Sequence, residues 1–178
     1  LRIDRNRWAN PLTGLPGNLE IQSEINHRIA RGMIFSVVYH DVDNFKAYND
    51  VYGFSHGDRA IKLIADILLD NVRAFGTKDD FIGHIGGDDF VVITDPGHVD
   101  ALCENIIKEF DERVPELYSD VDKRAGFIST VNRRGQVTQY PIMTLSIAVV
   151  SNEHRELRNH LEVGEIAAEL KKKAKSIV

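Results

Sequence analysis

The sequence predicts an α+β domain in which a mainly antiparallel sheet is flanked by helices. Residues 33–39 form a short apolar run, rich in β-branched and aromatic residues, that is typical of a buried strand. Two similar runs, 81–85 and 90–93, are separated only by Gly-Gly-Asp-Asp, as in a hairpin. Segments with helical spacing of apolar residues alternate with these strands. The order β-α-β-β-α-β is that of ferredoxin-like and palm-like folds, and we expect the helices on one face of the sheet.

The first half of the chain supplies two of these helices. Four apolar residues at near-helical spacing follow Gly17, and Gly32 ends that helix: Leu19, Ile21, Ile25 and Ile29. Residues 40–50 are polar and acidic, which predicts a turn after the first strand. A longer helix is predicted over 55–74, because five apolar residues share one face: Ala60, Leu63, Ile64, Ile67 and Leu68.

The second half predicts a helix over 99–110 and an extra hairpin of strands 126–131 and 137–150 around the Arg-Arg-Gly at 133–135. A final amphipathic helix, 162–175, ends in lysines that suit its C-terminal dipole. Residues 1–9 are expected to end an upstream connector, and residues 10–178 to form a single domain.

Composition excludes several classes of protein. The 178 residues, 43% hydrophobic and 28% charged, contain no apolar run long enough to span a bilayer, and the start is not a signal peptide. The single cysteine cannot form an internal disulfide, and the scattered histidines form no zinc-ligand cluster. A net charge of −5 disfavours a general nucleic-acid binder. We therefore expect a cytoplasmic domain without membrane insertion or nucleic-acid partner.

Two acidic motifs suggest a metal site. Asp41 and Asp43 follow the first strand, and alternation along an extended segment places them on the same side. Residues 86–90, Gly-Gly-Asp-Asp-Phe, offer two carboxylates at a hairpin tip, beside glycines that let a ligand approach the backbone. Hard cations such as Mg²⁺ prefer these oxygens. Each motif alone is also compatible with an ordinary polar turn.

A third group of residues could recognise a nucleobase. Asn49 offers a donor and an acceptor, and Asp58 offers acceptors, which matches the edge of guanine. The same residues could instead be a turn residue and a first-turn helix acid. The lysine cluster of residues 171–175 could pair with phosphates or form a solvated helix end.

Four motifs occur in a familiar order. Residues 10–16 are similar to D-x-L-T-G-L-P, and residues 41–58 to D-x-D-x-F-K-x-x-N-D-x-x-G-H-x-x-G-D. Residues 86–90 match G-G-[DE]-E-F except at the fourth position, and Ala174-Lys175 is similar to the A-K of a closing helix. Over nearly its whole length, the chain thus resembles the GGDEF-domain diguanylate cyclase family.

The resemblance implies a reaction and a site. Two domains, each holding one GTP, would meet as a homodimer, make cyclic di-GMP and release pyrophosphate under the control of an upstream sensory domain. The cofactor would be Mg²⁺ or Mn²⁺. The metal ligands would be Asp41, the Val42 carbonyl, Asp88 and Asp89, of which Asp88 and Asp89 would be catalytic. Guanine would be bound by Asn49 and Asp58, and the phosphates by Asn44, Phe45, Lys46 and Lys175.

The chain also departs from the family pattern. Asp89 replaces a catalytic Glu and is one methylene shorter, about 1.5 Å of reach. Thr77 replaces the Arg of the product-inhibition motif R-x-x-D, leaving Asp80 alone. Five further positions differ: Asn10 for Asp, Gly17-Asn18 for Asn-Arg, His84 for Arg and Ala168 for Asp. The alternatives are a degenerate domain that binds GTP or a partner and regulates an attached domain, and a different nucleotidyltransferase on a palm-like fold.

Overall fold

A computed structural model describes residues 9–176. The predicted connector therefore lies almost entirely outside the described residues. The helices are α1 (Asn18–Ala30), α2 (Phe45–Tyr52), α3 (Phe54–Phe75), α4 (Val99–Arg113), α5 (Asp120–Ala125) and α6 (His160–Ser176). The strands are β1 (Ser36–Asp43), β2 (Phe81–Gly86), β3 (Asp89–Thr94), β4 (Phe127–Val131), β5 (Val137–Pro141) and β6 (Thr144–Ser151).

Four strands form one antiparallel sheet in the order β2-β3-β1-β6, and β4 pairs with β5 in a separate hairpin. This order is the ferredoxin-like arrangement that the sequence predicts. The register places Asp41 of β1 opposite Asp89 of β3 and Ser146 of β6. The central strand thereby fixes the positions of side chains from both of its neighbours.

The helices cover both faces of the sheet, so the expectation of a one-sided arrangement is wrong. Val38 and Val92 point into a core shared with α3 and α4, whereas Val37 and Ile93 belong to a second core with α1 and α6. The first five residues of β1 are all buried. A strand that buries both of its faces needs apolar residues at consecutive positions, which is the pattern that residues 33–39 show.

The predicted turn over 40–50 is also wrong. His40 to Asp43 continue β1, and α2 begins two residues later, after Asn44 in a left-handed conformation with φ 66°. Pairing with strands on both sides keeps this polar segment extended. The predicted long strand 137–150 is interrupted after Pro141, and short α5 was not predicted. Within residues 9–176, no helix combines the length and apolarity needed to cross a bilayer.

Candidate active site

Three carboxylates converge where β1 meets the β2–β3 hairpin. Asp41 and Asp89 are cross-strand partners, and Asp88 lies in the turn beside them. Each of the three offers one oxygen, and these oxygens lie within 4.8 Å of one another. Gly87 has φ 53°, a left-handed conformation that glycine adopts without strain, so the turn can bring Asp88 back towards β1. The two acidic motifs of the sequence therefore form one cluster.

Asp43 does not belong to this cluster. Its carboxylate accepts hydrogen bonds from the hydroxyls of Thr144, at 2.9 Å, and Ser146, at 2.7 Å, on the neighbouring strand β6. These contacts tie the end of β1 to β6. Asp43 therefore stabilises the frame of the site, while Asp41 supplies the oxygen that faces Asp88 and Asp89.

A cavity of about 520 Å³ opens beside the carboxylates. Its walls include all the predicted phosphate-binding residues, Asn44, Phe45, Lys46 and Lys175, together with Asp41, Val42 and Asp88. They also include Ala47, Asp50 and Tyr140, which sequence reasoning missed. Tyr140 lies on the β4–β5 hairpin, far away in sequence, and no motif marked it. Asp50 follows Asn49 in the motif of residues 41–58, and that motif could have identified it as a residue of the site.

Two lysines of α6 reach the carboxylates. Lys175 Nζ lies 2.5 Å from Asp41 Oδ2, and Lys171 Nζ lies 3.7 Å from Asp89 Oδ1. Lys171 also lies over the ring of Tyr39, 5.2 Å from its centroid. Lysines one helical turn apart share a face of α6. The end of α6 is therefore part of the site at these two positions rather than only a solvated helix end.

The charges of the cluster act on one another. Burial, followed by the negative charges of Asp41 and Asp89, raises the pKa of Asp88 to about 6. Burial alone would also raise the pKa of Asp41, but its hydrogen bond and ion pair with Lys175 hold that pKa below its usual value. Burial and the charge of Asp41 raise the pKa of Asp89 despite Lys171. Such crowded carboxylates are the environment in which a divalent cation replaces mutual repulsion with attraction.

The predicted guanine-binding residues lie at the junction of α2 and α3, outside the cavity lining. Asn49 contacts Gly57 so closely that a Cβ built there would be 1.8 Å from Asn49 Oδ1. That oxygen is buried and has no hydrogen-bond partner among the described residues. Asp58 is exposed in the first turns of α3. The structure thus places Asn49 beside the neighbour of Asp58, with its buried amide oxygen packed against Gly57.

Comparisons with known proteins identify the family and the fold of the chain. The family "Diguanylate cyclase, GGDEF domain" matches residues 8–176. The chain belongs to this family. The solved GGDEF domain of DgcB from Caulobacter crescentus, in complex with c-di-GMP, has the same fold, with a TM-score of 0.69 at 19% identity over 98% of this chain and 93% of that one.

Curated relatives of this GGDEF domain are longer proteins. Diguanylate cyclase DgcS of Shewanella oneidensis is 37% identical over 103 residues, which are 54% of this chain and 33% of that protein. The bifunctional diguanylate cyclase/cyclic di-GMP phosphodiesterase MucR of Pseudomonas aeruginosa is 32% identical over 108 residues, 57% of this chain and 15% of that protein. The chain spans a third or less of each.

The loop of Thr77 to Asp80, which the resemblance aligns with a product-inhibition motif, is held by hydrogen bonds between its own residues. The Asp80 carboxylate accepts hydrogen bonds from the backbone N–H of Thr77, at 3.0 Å, and from its hydroxyl, at 2.7 Å. Arg28 of α1 donates to the Asp79 carbonyl at 2.5 Å. Asp80 therefore closes its own loop, and Thr77 offers no cation to a phosphate.

Proposed function

We propose that this GGDEF domain condenses two molecules of GTP into cyclic di-GMP and pyrophosphate. The observation that carries the proposal is the convergence of Asp41, Asp88 and Asp89 beside a cavity lined by Lys46 and Lys175. Family membership and diguanylate cyclases among the relatives support it. The reaction needs a site that binds metal and triphosphate together, and this arrangement offers both kinds of partner.

The donor set fits a divalent cation. Three carboxylates, and the backbone carbonyl of the cavity-lining residue Val42, are hard oxygen ligands of the type that Mg²⁺ and Mn²⁺ prefer. Asp41, Val42, Asp88 and Asp89 would hold the ion. When bound, it would neutralise triphosphate charge and lower the pKa of the attacking 3′-hydroxyl. Asp89 is the residue that we assign, in place of the family's Glu, to the catalytic position.

Lysines and backbone groups would bind the triphosphate. The segment of Asn44, Phe45 and Lys46 turns sharply from β1 into α2, and its N–H groups at the start of the helix favour an anion. Lys175 is already held at the cavity by Asp41. Because Lys175 lines the cavity, it would pair with a phosphate of the bound nucleotide in place of Asp41.

Asn49 and Asp58 would select guanine. The Asn49 amide can accept from and donate to the guanine edge, and the Asp58 carboxylate can accept from its N–H groups. The place of Asn49 beside Gly57, the neighbour of Asp58, supports this assignment. Adenine lacks the matching donors, so the pair would disfavour ATP.

The reaction would take place between two copies of the domain. The 3′-hydroxyl of one GTP attacks the α-phosphorus of the other, a P–O bond forms and pyrophosphate leaves; a second such step closes the ring. Each domain positions one nucleotide, so activity needs a transient homodimer. We further propose that an upstream sensory domain in a longer cytoplasm-facing protein controls this pairing.

A second function is favoured by one observation. Asp89 is about 1.5 Å shorter than Glu, and a misplacement of about 1 Å can cost on the order of 10²-fold in rate. A domain with this change could bind GTP or a partner and regulate an attached domain without turnover.

The proposal is tested by incubating the concentrated protein with GTP and Mg²⁺ or Mn²⁺ and following cyclic di-GMP by chromatography. We expect product whose rate per protein rises with protein concentration, because the dimer is the active species. The Asp41→Ala variant should make none. GTP binding without product in any condition would favour the regulatory alternative.

A further inference from the structure

His84 lies beneath the signature turn and contacts it directly. The side chain, only 1% exposed on β2, has its ring stacked on Phe90, with centroids 4.2 Å apart and planes within 7°. Its Nε2 lies 2.9 Å from the carbonyl oxygen of Gly87. Gly87 immediately precedes Asp88 and Asp89, so this contact fixes the backbone from which both carboxylates project.

The other ring nitrogen contacts the opening loop of the domain. His84 Nδ1 lies 3.0 Å from the Thr13 hydroxyl, and the His84 backbone N–H donates to the Pro16 carbonyl at 2.9 Å. The imidazole therefore bridges two segments about seventy residues apart in sequence. Both of its nitrogens have partners, unlike those of His40, the other histidine buried in the sheet.

The partners define the hydrogen-bonding roles of the ring. A carbonyl oxygen can only accept a hydrogen bond, so Nε2 must carry a hydrogen and donate to the Gly87 carbonyl. In the neutral ring Nδ1 is then an acceptor, and the Thr13 hydroxyl donates to it. Burial lowers the pKa of His84, which favours this neutral form. An arginine, which stands at this position in the family pattern, has no acceptor and could not make the same pair of bonds.

We propose that His84 is a positioning residue that links the opening loop, through Thr13, to the Gly87 carbonyl and so sets the metal-binding geometry of Asp88 and Asp89. The inference rests on the proposed metal site. It adds that metal affinity depends on His84, which touches neither metal nor nucleotide. It also makes metal affinity depend on the opening loop that contains Thr13.

Two substitutions separate the hydrogen bond from packing. His84→Phe keeps an aromatic ring on Phe90 but removes both hydrogen bonds and leaves the Gly87 carbonyl without its donor. His84→Gln loses the ring but places an amide N–H the same number of bonds from Cα as Nε2. Thr13→Val removes the hydroxyl that donates to Nδ1 and that accepts from the Leu15 backbone N–H at 3.4 Å, and Thr13→Ser retains it.

The measurement is the dissociation constant of Mn²⁺, from the electron paramagnetic resonance signal of the free ion, well below the melting temperature of each variant. We expect affinity to fall about tenfold in His84→Phe, the equivalent of one hydrogen bond, and to stay near wild type in His84→Gln. Thr13→Val should weaken binding and Thr13→Ser should not. Unchanged affinity in His84→Phe, or an equal loss in both His84 variants, would overturn the inference.

Asp41→Asn keeps this test separate from the proposed function. Loss of Mn²⁺ binding in Asp41→Asn validates the metal site as the readout. If Asp41→Asn binds Mn²⁺ as wild type does, the proposed metal site fails, and hydrogen exchange of the amides of residues 87–89 then decides the role of His84. Exchange that is faster in His84→Phe but not in His84→Gln supports it, and exchange unchanged in His84→Phe contradicts it.

Discussion

At the scale of single residues, Gly57 leaves room for the Asn49 side chain because it has no Cβ. Gly57 lies in α3, where any other residue would carry its Cβ into the Asn49 amide. Glycine normally weakens a helix interior by roughly 1 kcal/mol relative to alanine. Its presence here therefore follows from the close approach of α2 and α3 at the proposed guanine site.

We predict that Gly57→Ala weakens GTP binding about tenfold without unfolding the protein, because the methyl group displaces the Asn49 amide from its hydrogen-bonding position. Isothermal titration with GTP and Mg²⁺ measures this. Gly164→Ala is the matched control, since a Cβ at that helical glycine meets nothing within 4 Å. Equal GTP affinity in the two variants would argue against Asn49 as a guanine ligand.

At the scale of elements, the loop between α3 and β2 is closed by its own residues. The Asp80 carboxylate accepts hydrogen bonds from the backbone N–H and the hydroxyl of Thr77. A Cβ at Gly76 would be 2.2 Å from Asp80 Oδ2, so the carboxylate packs tightly inside the loop. With this geometry the carboxylate stabilises the loop. A product molecule would have to break these hydrogen bonds, and the Arg28 guanidinium at this loop is already bonded to the Asp79 carbonyl.

We predict that Asp80→Ala lowers the free energy of unfolding by about 1–2 kcal/mol and leaves cyclic di-GMP affinity unchanged, because the carboxylate makes two local hydrogen bonds. Urea unfolding and calorimetric titration with cyclic di-GMP give the two quantities. Tight product binding by the wild-type protein that disappears in Asp80→Ala would show that the inhibitory site works without its arginine.

Some elements of the fold follow from the local sequence, whereas others depend on tertiary packing. The helical spacing of apolar residues in α3 reflects burial, and that helix was confirmed. The strand predicted over residues 33–39 is present, but it begins at Ser36 and continues to Asp43. Residues 40–43 look like a turn locally, yet pairing with β3 and β6 makes them a strand. The contributions of Lys171 and Tyr140 depend on where α6 and a distant hairpin pack, which local sequence does not encode.

At the scale of the whole molecule, the sheet is enclosed between two cores, and this places a histidine entirely away from water. His40 is 0% exposed, and neither ring nitrogen has a hydrogen-bond partner among the described residues. Burial lowers the pKa of His40 from its usual 6.5 to about 4. The folded state therefore binds fewer protons than the unfolded state between these pH values.

We predict that the buried His40 makes the free energy of unfolding fall as the pH drops from 6.5 towards 4. Relative to its value above pH 6.5, the free energy of unfolding is lower by about 2 kcal/mol at pH 5. Denaturant unfolding of wild type and His40→Leu at pH 7.5 and pH 5 measures it, and the variant should lose less stability on acidification. His154→Leu, at a side chain that is 89% exposed, is the control. Parallel losses in wild type and His40→Leu would contradict this assignment.

We propose that the three converging carboxylates form a working cyclase site although Asp89 replaces Glu. The most direct measurement compares cyclic di-GMP formation by the wild-type protein and Asp89→Glu at equal, high concentration with GTP and Mg²⁺. We expect product from both, with Asp89→Glu faster by up to about 10²-fold because the longer side chain restores the reach. Product from Asp89→Glu alone would contradict this expectation. The rest of the site would then be intact, Asp89 would not support turnover, and the wild-type protein would be a regulatory binding domain.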